Sequence, residues 1–205
     1  MEPKDRIMEQ ESQKNLTKIR HDRSLKDFPF LKLEDDEYVE FAFKRARISL
    51  ALILGGLGLG AIDILLASLI ALLGQPTLDS MGVNFMYIIL GTLMTVILFA
   101  VIITLVIYHG NRLFITNKHV MQMIMVSPLS SSMNIIDLPS VEDVSFHQNG
   151  LAQKLFGFGT LRLATIGDET TYTFKDSDIS SSELKAISKL ITEAKEKAHH
   201  RTAKN

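Results

Sequence analysis

Between Ile48 and Asn111 the chain carries no Lys or Arg, and only two acids, Asp63 and Asp79, interrupt those 64 residues. Ile48 to Leu73 reads ISLALILGGLGLGAIDILLASLIALL. At about 1.5 Å per residue, a helix of that length crosses a hydrocarbon layer of about 30 Å with some tilt. Val83 to Tyr108 is equally long and apolar. Residues 74–82, GQPTLDSMG, hold a proline, two glycines and polar side chains, the composition of a tight exposed turn. The prediction is a two-helix transmembrane hairpin, with helices over 48–73 and 83–108 and a short external loop over 74–82. A buried helical pair in a soluble protein fits poorly with two spans of this length and one internal charge.

Positive charge orients the hairpin. Lys44, Arg45 and Arg47 precede the first span, Arg112 and Lys118 follow the second, and the connecting loop has none. Both termini are therefore predicted to face the cytoplasm, with the protein multi-pass in the cell (inner) membrane. The first span begins behind a long charged segment, is about twice the length of a signal-peptide core and lacks a small-residue cleavage site, so it is expected to be retained.

Gly56 and Gly60 make a GxxxG pair, and Asp63 falls on roughly the same helical face. Three uses of that face stay open: packing between the two spans, dimerisation, or an ion-conducting role for Asp63, since carboxylates are costly in lipid. Asp63 has no basic partner within the spans, which leaves a hydroxyl such as Thr92, Thr95 or Thr104, or a partner chain.

The flanking segments are polar. Residues 1–30 show no sustained periodicity and are predicted to be a flexible cytoplasmic tail with at most a short helix. Residues 31–47 read as a juxtamembrane segment whose Phe41, Phe43 and basic cluster suit the lipid interface. Beyond the second span the pattern becomes strand-like: RLFITN, HVMQMIMV, SMNIIDL, VEDVSFH, TLRLATI and TTYTFKD are separated by turn residues, giving about six antiparallel strands with one buried face. Ser180 and Glu183 then fit a capping box with Ile179 and Leu184 as its hydrophobic staple. Leu184, Ile187, Leu190, Ile191 and Ala194 form an apolar stripe suited to closing the open end of a small barrel or sandwich. Residues 199–205 read as a polar tail, and His199 and His200 as solvated rather than metal-binding.

A curved antiparallel sheet capped by one C-terminal helix is the pleckstrin-homology (PH) architecture. The residues NRLFITNKHVMQM at 111–123 and IIDLPSVEDVSFHQNGLAQKLFGFGTLRLAT at 135–165 resemble the bacterial PH-domain family found behind paired transmembrane helices in small membrane proteins. Leu138, Val141, Val144, Gly150, Leu155, Gly157, Gly159 and Thr160 fall at the family's motif positions, and Asp36, Glu37, Val39 and Lys44 to Arg47 match its approach to the first span. His119 stands where an Arg is commoner. The resemblance covers roughly residues 33–195 and implies an α+β membrane protein: a two-helix transmembrane hairpin followed, over 111–198, by a PH-like antiparallel β-barrel or sandwich capped by a C-terminal α-helix. Independently of any family, Gly150, Gly157 and Gly159 permit a turn between two strands, with Leu155 and Phe156 expected to pack beneath it.

The absence of cysteine excludes disulfides and thiolate chemistry. A net charge of −1, without the concentrated excess of Lys and Arg that phosphate binding needs, argues against nucleic acid. No nucleophile motif, phosphate loop or metal signature is present and the histidines are scattered, so neither enzyme activity, cofactor nor metal is expected. His147, in a strand beside Phe146, reads as a satisfied strand-end residue. Two functions remain. One is a membrane-anchored, non-enzymatic binding or scaffold protein that presents a PH-like domain at the inner face of the membrane. Lys118, His119, Lys154, Arg162 and Lys175 are then candidates for anionic headgroups or a partner protein, attraction to headgroups being worth about 1 kcal/mol per basic residue. The other is a homo-oligomeric channel or transport accessory assembled through the Gly56, Gly60 and Asp63 face with itself or another membrane protein.

Overall fold

The computed structural model describes residues 3–74, 80–165 and 171–202. It forms two compact units, one of Met1–Lys44, Arg112–Ile124 and Ser132–Asn205, the other of Arg45–Asn111 and Met125–Ser131.

In the first unit, strands β1 (Val39–Lys44), β2 (Arg112–Thr116), β3 (His119–Ser127) and β4 (Ser130–Asp137) make one sheet in that order. Strands β5 (Val141–His147), β6 (Gly159–Thr165) and β7 (Thr171–Ser177) make a second, antiparallel sheet. The six strands predicted behind the second span are all present. The sheets do not close into a barrel, because the chain passes between them through a 3-10 turn, Leu138–Ser140, where Pro139 has no N–H to continue a ladder.

The structure divides the chain differently from the sequence at β1. Phe43 pairs with Leu113 and Lys44 with Arg112, so a strand that precedes the long helices belongs to the same sheet as strands that follow them. Residues 31–47 are thus partly sheet rather than a separate juxtamembrane segment, and the two long helices are an insertion in the β1–β2 connection. Phe41 and Phe43 do not serve as interface anchors: two residues apart on a strand, they share a face, stack with centroids 6.0 Å apart, and Phe43 joins the core.

The sandwich core combines Leu113, Ile115 and Val120 of the first sheet with Val141, Leu161, Leu163 and Phe174 of the second. Helix α5 (Ser181–Thr202) seals it with Ile187 and Ile191, while Leu184, Leu190 and Ala194 pack alongside, as the apolar stripe predicts. Its start is the expected capping box: the Ser180 N–H donates to Glu183 Oε2 at 2.8 Å and the Glu183 N–H to Ser180 Oγ at 3.2 Å. The helix continues through His199 and His200 to Thr202. One expectation changes. β2 and β3 are buried on both faces, because Phe28, Leu31 and Leu33 cover Phe114 and Met121 on the side away from the core.

Residues Pro3–Asp27 form helix α1, where the sequence predicts a mobile tail. Its attachment is polar, which is why no apolar periodicity announces it. Ser24 Oγ accepts the Val39 N–H at 3.0 Å and donates to the Arg20 carbonyl at 2.9 Å, and Arg20 pairs with Glu40 at 3.1 Å.

In the second unit, α2 (Arg47–Gly74) and α3 (Ser80–Gly110) lie side by side. Leu54, Leu57, Ala61, Ile64 and Ser68 of α2 are half-buried at alternating spacings of three and four, the seam of an antiparallel pair. At the other end of the hairpin the Tyr108 hydroxyl donates to the Ala46 carbonyl at 2.6 Å, and the Arg45 guanidinium lies 5.5 Å from the Tyr108 ring centroid. Over Arg47–Ile70 and Asn84–Gly110 the helices are long and apolar enough to cross a membrane. Residues 75–79 of the predicted external loop lie outside the described residues.

Candidate interaction surfaces and a buried carboxylate

The five candidate contact residues separate into two places. Lys118 ends the two-residue β2–β3 turn and His119 begins β3, and both are engaged by acids of the segment before β1 or of β4. Lys118 Nζ pairs with Glu34 Oε2 at 3.2 Å and donates to the Asp35 carbonyl at 2.8 Å. His119 lies between two carboxylates, its Nδ1 2.8 Å from Glu37 Oε1 and its Nε2 3.4 Å from Asp137 Oδ1.

Glu37 is the centre of this arrangement, with its side chain fully buried. Its Oε1 accepts the Thr116 hydroxyl at 2.6 Å and its Oε2 the Glu34 N–H at 2.9 Å. Burial alone would raise its carboxyl pKa. The bonds from Thr116, Glu34 and His119, with the His119 charge, outweigh that and hold it below the usual carboxylate value. Asp36, with φ of 62°, makes the reversal that turns Glu37 inward, and the Asn117 side chain clamps both sides of it, accepting from the Tyr38 N–H at 3.0 Å and donating to the Asp36 carbonyl at 3.1 Å. Chemically this is a structural lock. Glu37 Oε1 receives the Thr116 hydroxyl and faces His119, while Oε2 receives the Glu34 N–H, so the carboxylate ties the segment before β1 to β2 and β3. Sequence reasoning missed Glu37 because its partner Thr116 is 79 residues away, beyond any local pattern.

Lys154 lies on the connection between β5 and β6, and Arg162 and Lys175 lie on the second sheet. Its inward positions are Leu161, Leu163 and Phe174, so Ser145, Arg162 and Thr173 form one cross-strand row on the open face, followed toward the end of the sheet by His147 and Thr160, with Lys175 on the same face. Asp143 lies further along that face. Between His147 and Gly159 runs a short helix, α4 (Leu151–Phe156), which carries Lys154.

The glycines that flank α4 act as the sequence predicts. Gly150 has φ of 95°, and Gly157, with φ of 76°, ends the helix in the left-handed conformation as its N–H bonds the Gln153 carbonyl at 2.9 Å. At Gly159 a Cβ would come within 2.6 Å of the His147 carbonyl oxygen, so β6 approaches β5 only because this residue has no side chain. The expectation that Leu155 and Phe156 pack beneath the turn is corrected: Phe158 is buried there instead. Leu151 and Leu155, four apart on α4, share an outward face and are 88% and 78% exposed, with Phe156 partly exposed beside them. Leu151 and Leu155 thus make an exposed apolar step on the helix that carries Lys154.

Gly56, Gly60 and Asp63 do not face α3. A Cβ at Gly56 or Gly60 would meet nothing within 4 Å, and Asp63 is exposed. The hydroxyls of Thr92, Thr95 and Thr104 donate to carbonyls one turn back in α3 rather than to Asp63. Among the described residues no cluster of three or more His, Asp or Glu side chains has the spacing to hold a metal ion.

A family model for the bacterial PH domain matches residues 49–195, most of the chain. A crystal structure of a DUF1696 family protein with a pleckstrin-homology domain from Shewanella loihica PV-4 is similar at 14% identity over 42% of this chain and 70% of that one, with a TM-score of 0.30. Among curated proteins nothing matches. With its two stacked sheets, its capping helix and a family match that spans both the long helices and the sheets, the chain belongs to the bacterial PH-domain family.

Proposed function

We propose that this protein is a membrane-anchored binding module that acts by recognition rather than catalysis, holding its PH-like domain at the inner face of the cell membrane. The observation that carries the reading is the insertion point. Lys44 and Arg112 are cross-strand partners, yet the chain between them leaves as α2 and returns as α3, with only Arg45 and Ala46 before the first helix and Asn111 after the second. A domain joined to two apolar helices by connections of one and two residues is tethered wherever those helices lie and needs no lipid affinity of its own. Because β1 and β2 are adjacent, both helix ends emerge together, and the basic residues 44, 45, 47 and 112 around them favour the cytoplasmic side.

The recognition surface in this reading is α4 with the open face of the second sheet, and its partner is a protein segment that joins an apolar patch to acidic residues. Lys118 and His119 are already held by acids and contribute less to binding an anion.

The cysteine-free sequence makes the topology directly testable. Asp79→Cys in intact cells should react with a membrane-impermeant maleimide, whereas Lys189→Cys should react only after lysis. Labelling of position 189 in intact cells, or recovery of the protein in the soluble fraction, would sink the reading.

A second reading, assembly of several copies through Gly56, Gly60 and Asp63, is favoured by the lack of any cover on that face. Cross-linking in native membranes should trap oligomers that Gly60→Leu abolishes. A chain that remains monomeric under cross-linking removes this alternative.

A further inference from the structure

We infer that the tip of the β3–β4 hairpin, centred on Val126 and Leu129, is a second membrane contact that inserts into the interfacial layer of the bilayer beside the end of α3. The inference rests on the membrane reading of α2 and α3 and adds to it a contact made by the sheet domain's own chain.

Three observations converge on this segment. The first is placement: residues Met125–Ser131 pack with the long helices rather than with the sheet they extend. Asn111, directly after α3, holds them there. Its amide donates to the Met125 carbonyl at 3.0 Å and to the Ile107 carbonyl at 2.6 Å, and its Oδ1 accepts the Met125 N–H at 3.2 Å. The Met125 side chain lies so close over Gly110 that a Cβ there would meet its sulfur at 2.5 Å. The tip is therefore fixed at the level of the last turn of α3.

The second observation is exposure. Val126 is 72% and Leu129 99% exposed, more than almost any other large apolar residue outside the long helices. The third is composition. From Val120 to Ile136 there is no charged residue, and the two turn residues are Pro128 and Leu129, where a solvated hairpin ordinarily carries Gly, Asn or Asp. An uncharged tip that presents a valine and a leucine beside a membrane-crossing helix suits the headgroup and acyl boundary, where apolar side chains gain by leaving water. The flanking Ser127, Ser130, Ser131 and Ser132 suit the polar headgroup level.

The test uses the full-length protein in nanodiscs of phosphatidylethanolamine and phosphatidylglycerol, with an environment-sensitive fluorophore on single cysteines at Leu129→Cys, Leu98→Cys and Lys189→Cys. Position 98 lies in α3 and position 189 on the exposed face of α5. The label at 129 should be severalfold brighter than at 189, quenched by nitroxide lipids labelled near the headgroup, and shielded from aqueous iodide. The label at 98 should respond to deeper nitroxides. If 129 behaves like 189 while 98 reports lipid, the tip contact is wrong and the anchor stands. If 98 and 129 both behave as aqueous sites, the anchor reading fails and this inference falls with it.

Discussion

The two units use apolar side chains in opposite ways. In the sheet unit Leu113, Ile115, Leu161 and Ile187 are sealed inside, and the surface is polar apart from small patches. In the helical unit Leu59, Ile70, Leu98 and Phe99 point outward, and only a narrow seam of half-buried residues joins α2 to α3. Burial of apolar area from water drives the first unit, at about 25 cal/mol per Å². The second has little interior, and in the membrane reading proposed above its outer surface meets lipid rather than water.

Truncating one leucine in each unit is the sharpest way to break this contrast. Leu161→Ala, in the centre of the sandwich, should cost about 3 kcal/mol, read as a lowered denaturation midpoint of the sheet unit in the detergent-solubilised protein. Leu98→Ala on the exposed side of α3 should shift the same midpoint by less than about 0.5 kcal/mol. Equal losses at both sites would mean that α3 buries Leu98 against protein and that the two units share one solvent.

Glu37→Ala should come next, at about 2–3 kcal/mol, because it leaves the buried Thr116 hydroxyl and His119 without their acceptor. Acid should mimic it. Since the folded Glu37 pKa is lowered, its contribution is fully present above the unfolded value of about 4.3 and is lost as pH falls through the folded value. The wild-type unfolding midpoint should therefore drop more steeply than that of Glu37→Gln as pH goes from 5 to 3, and parallel curves would deny Glu37 this role. Ser180→Ala, which removes the N-cap of α5, should cost about 1 kcal/mol in the same assay. Leu155→Ser should be the mildest, within about 0.5 kcal/mol, because the side chain is already exposed. If that variant nevertheless abolishes capture of a membrane partner in pull-downs, α4 is the recognition surface. Unchanged capture would point elsewhere on the domain.

Much of this structure was legible locally. The stretch without Lys or Arg announced α2 and α3, β-rich runs set off by turn residues announced β2 to β7, and Ser180 with Glu183 announced the start of α5, because each signal lies within a few residues of the element it specifies. The candidate surface was legible only in part. Arg162 and Lys175 look scattered in sequence, and strand pairing brings them to one face of one sheet. Leu155 was expected inside because it is apolar, yet the helical phase set by Gly150 turns it outward.

What the sequence determined by itself is a pair of segments long and apolar enough to cross a membrane and a series of β-rich runs, since both follow from side-chain polarity along a continuous segment. The tertiary structure alone decided that β1 joins a sheet whose other strands begin 68 residues after it ends, Lys44 to Arg112. It decided too that Glu37 is buried and that the β3–β4 tip sits against α3. Each of these depends on pairings between distant residues, whose free energy appears only once the intervening helices have brought their two ends together.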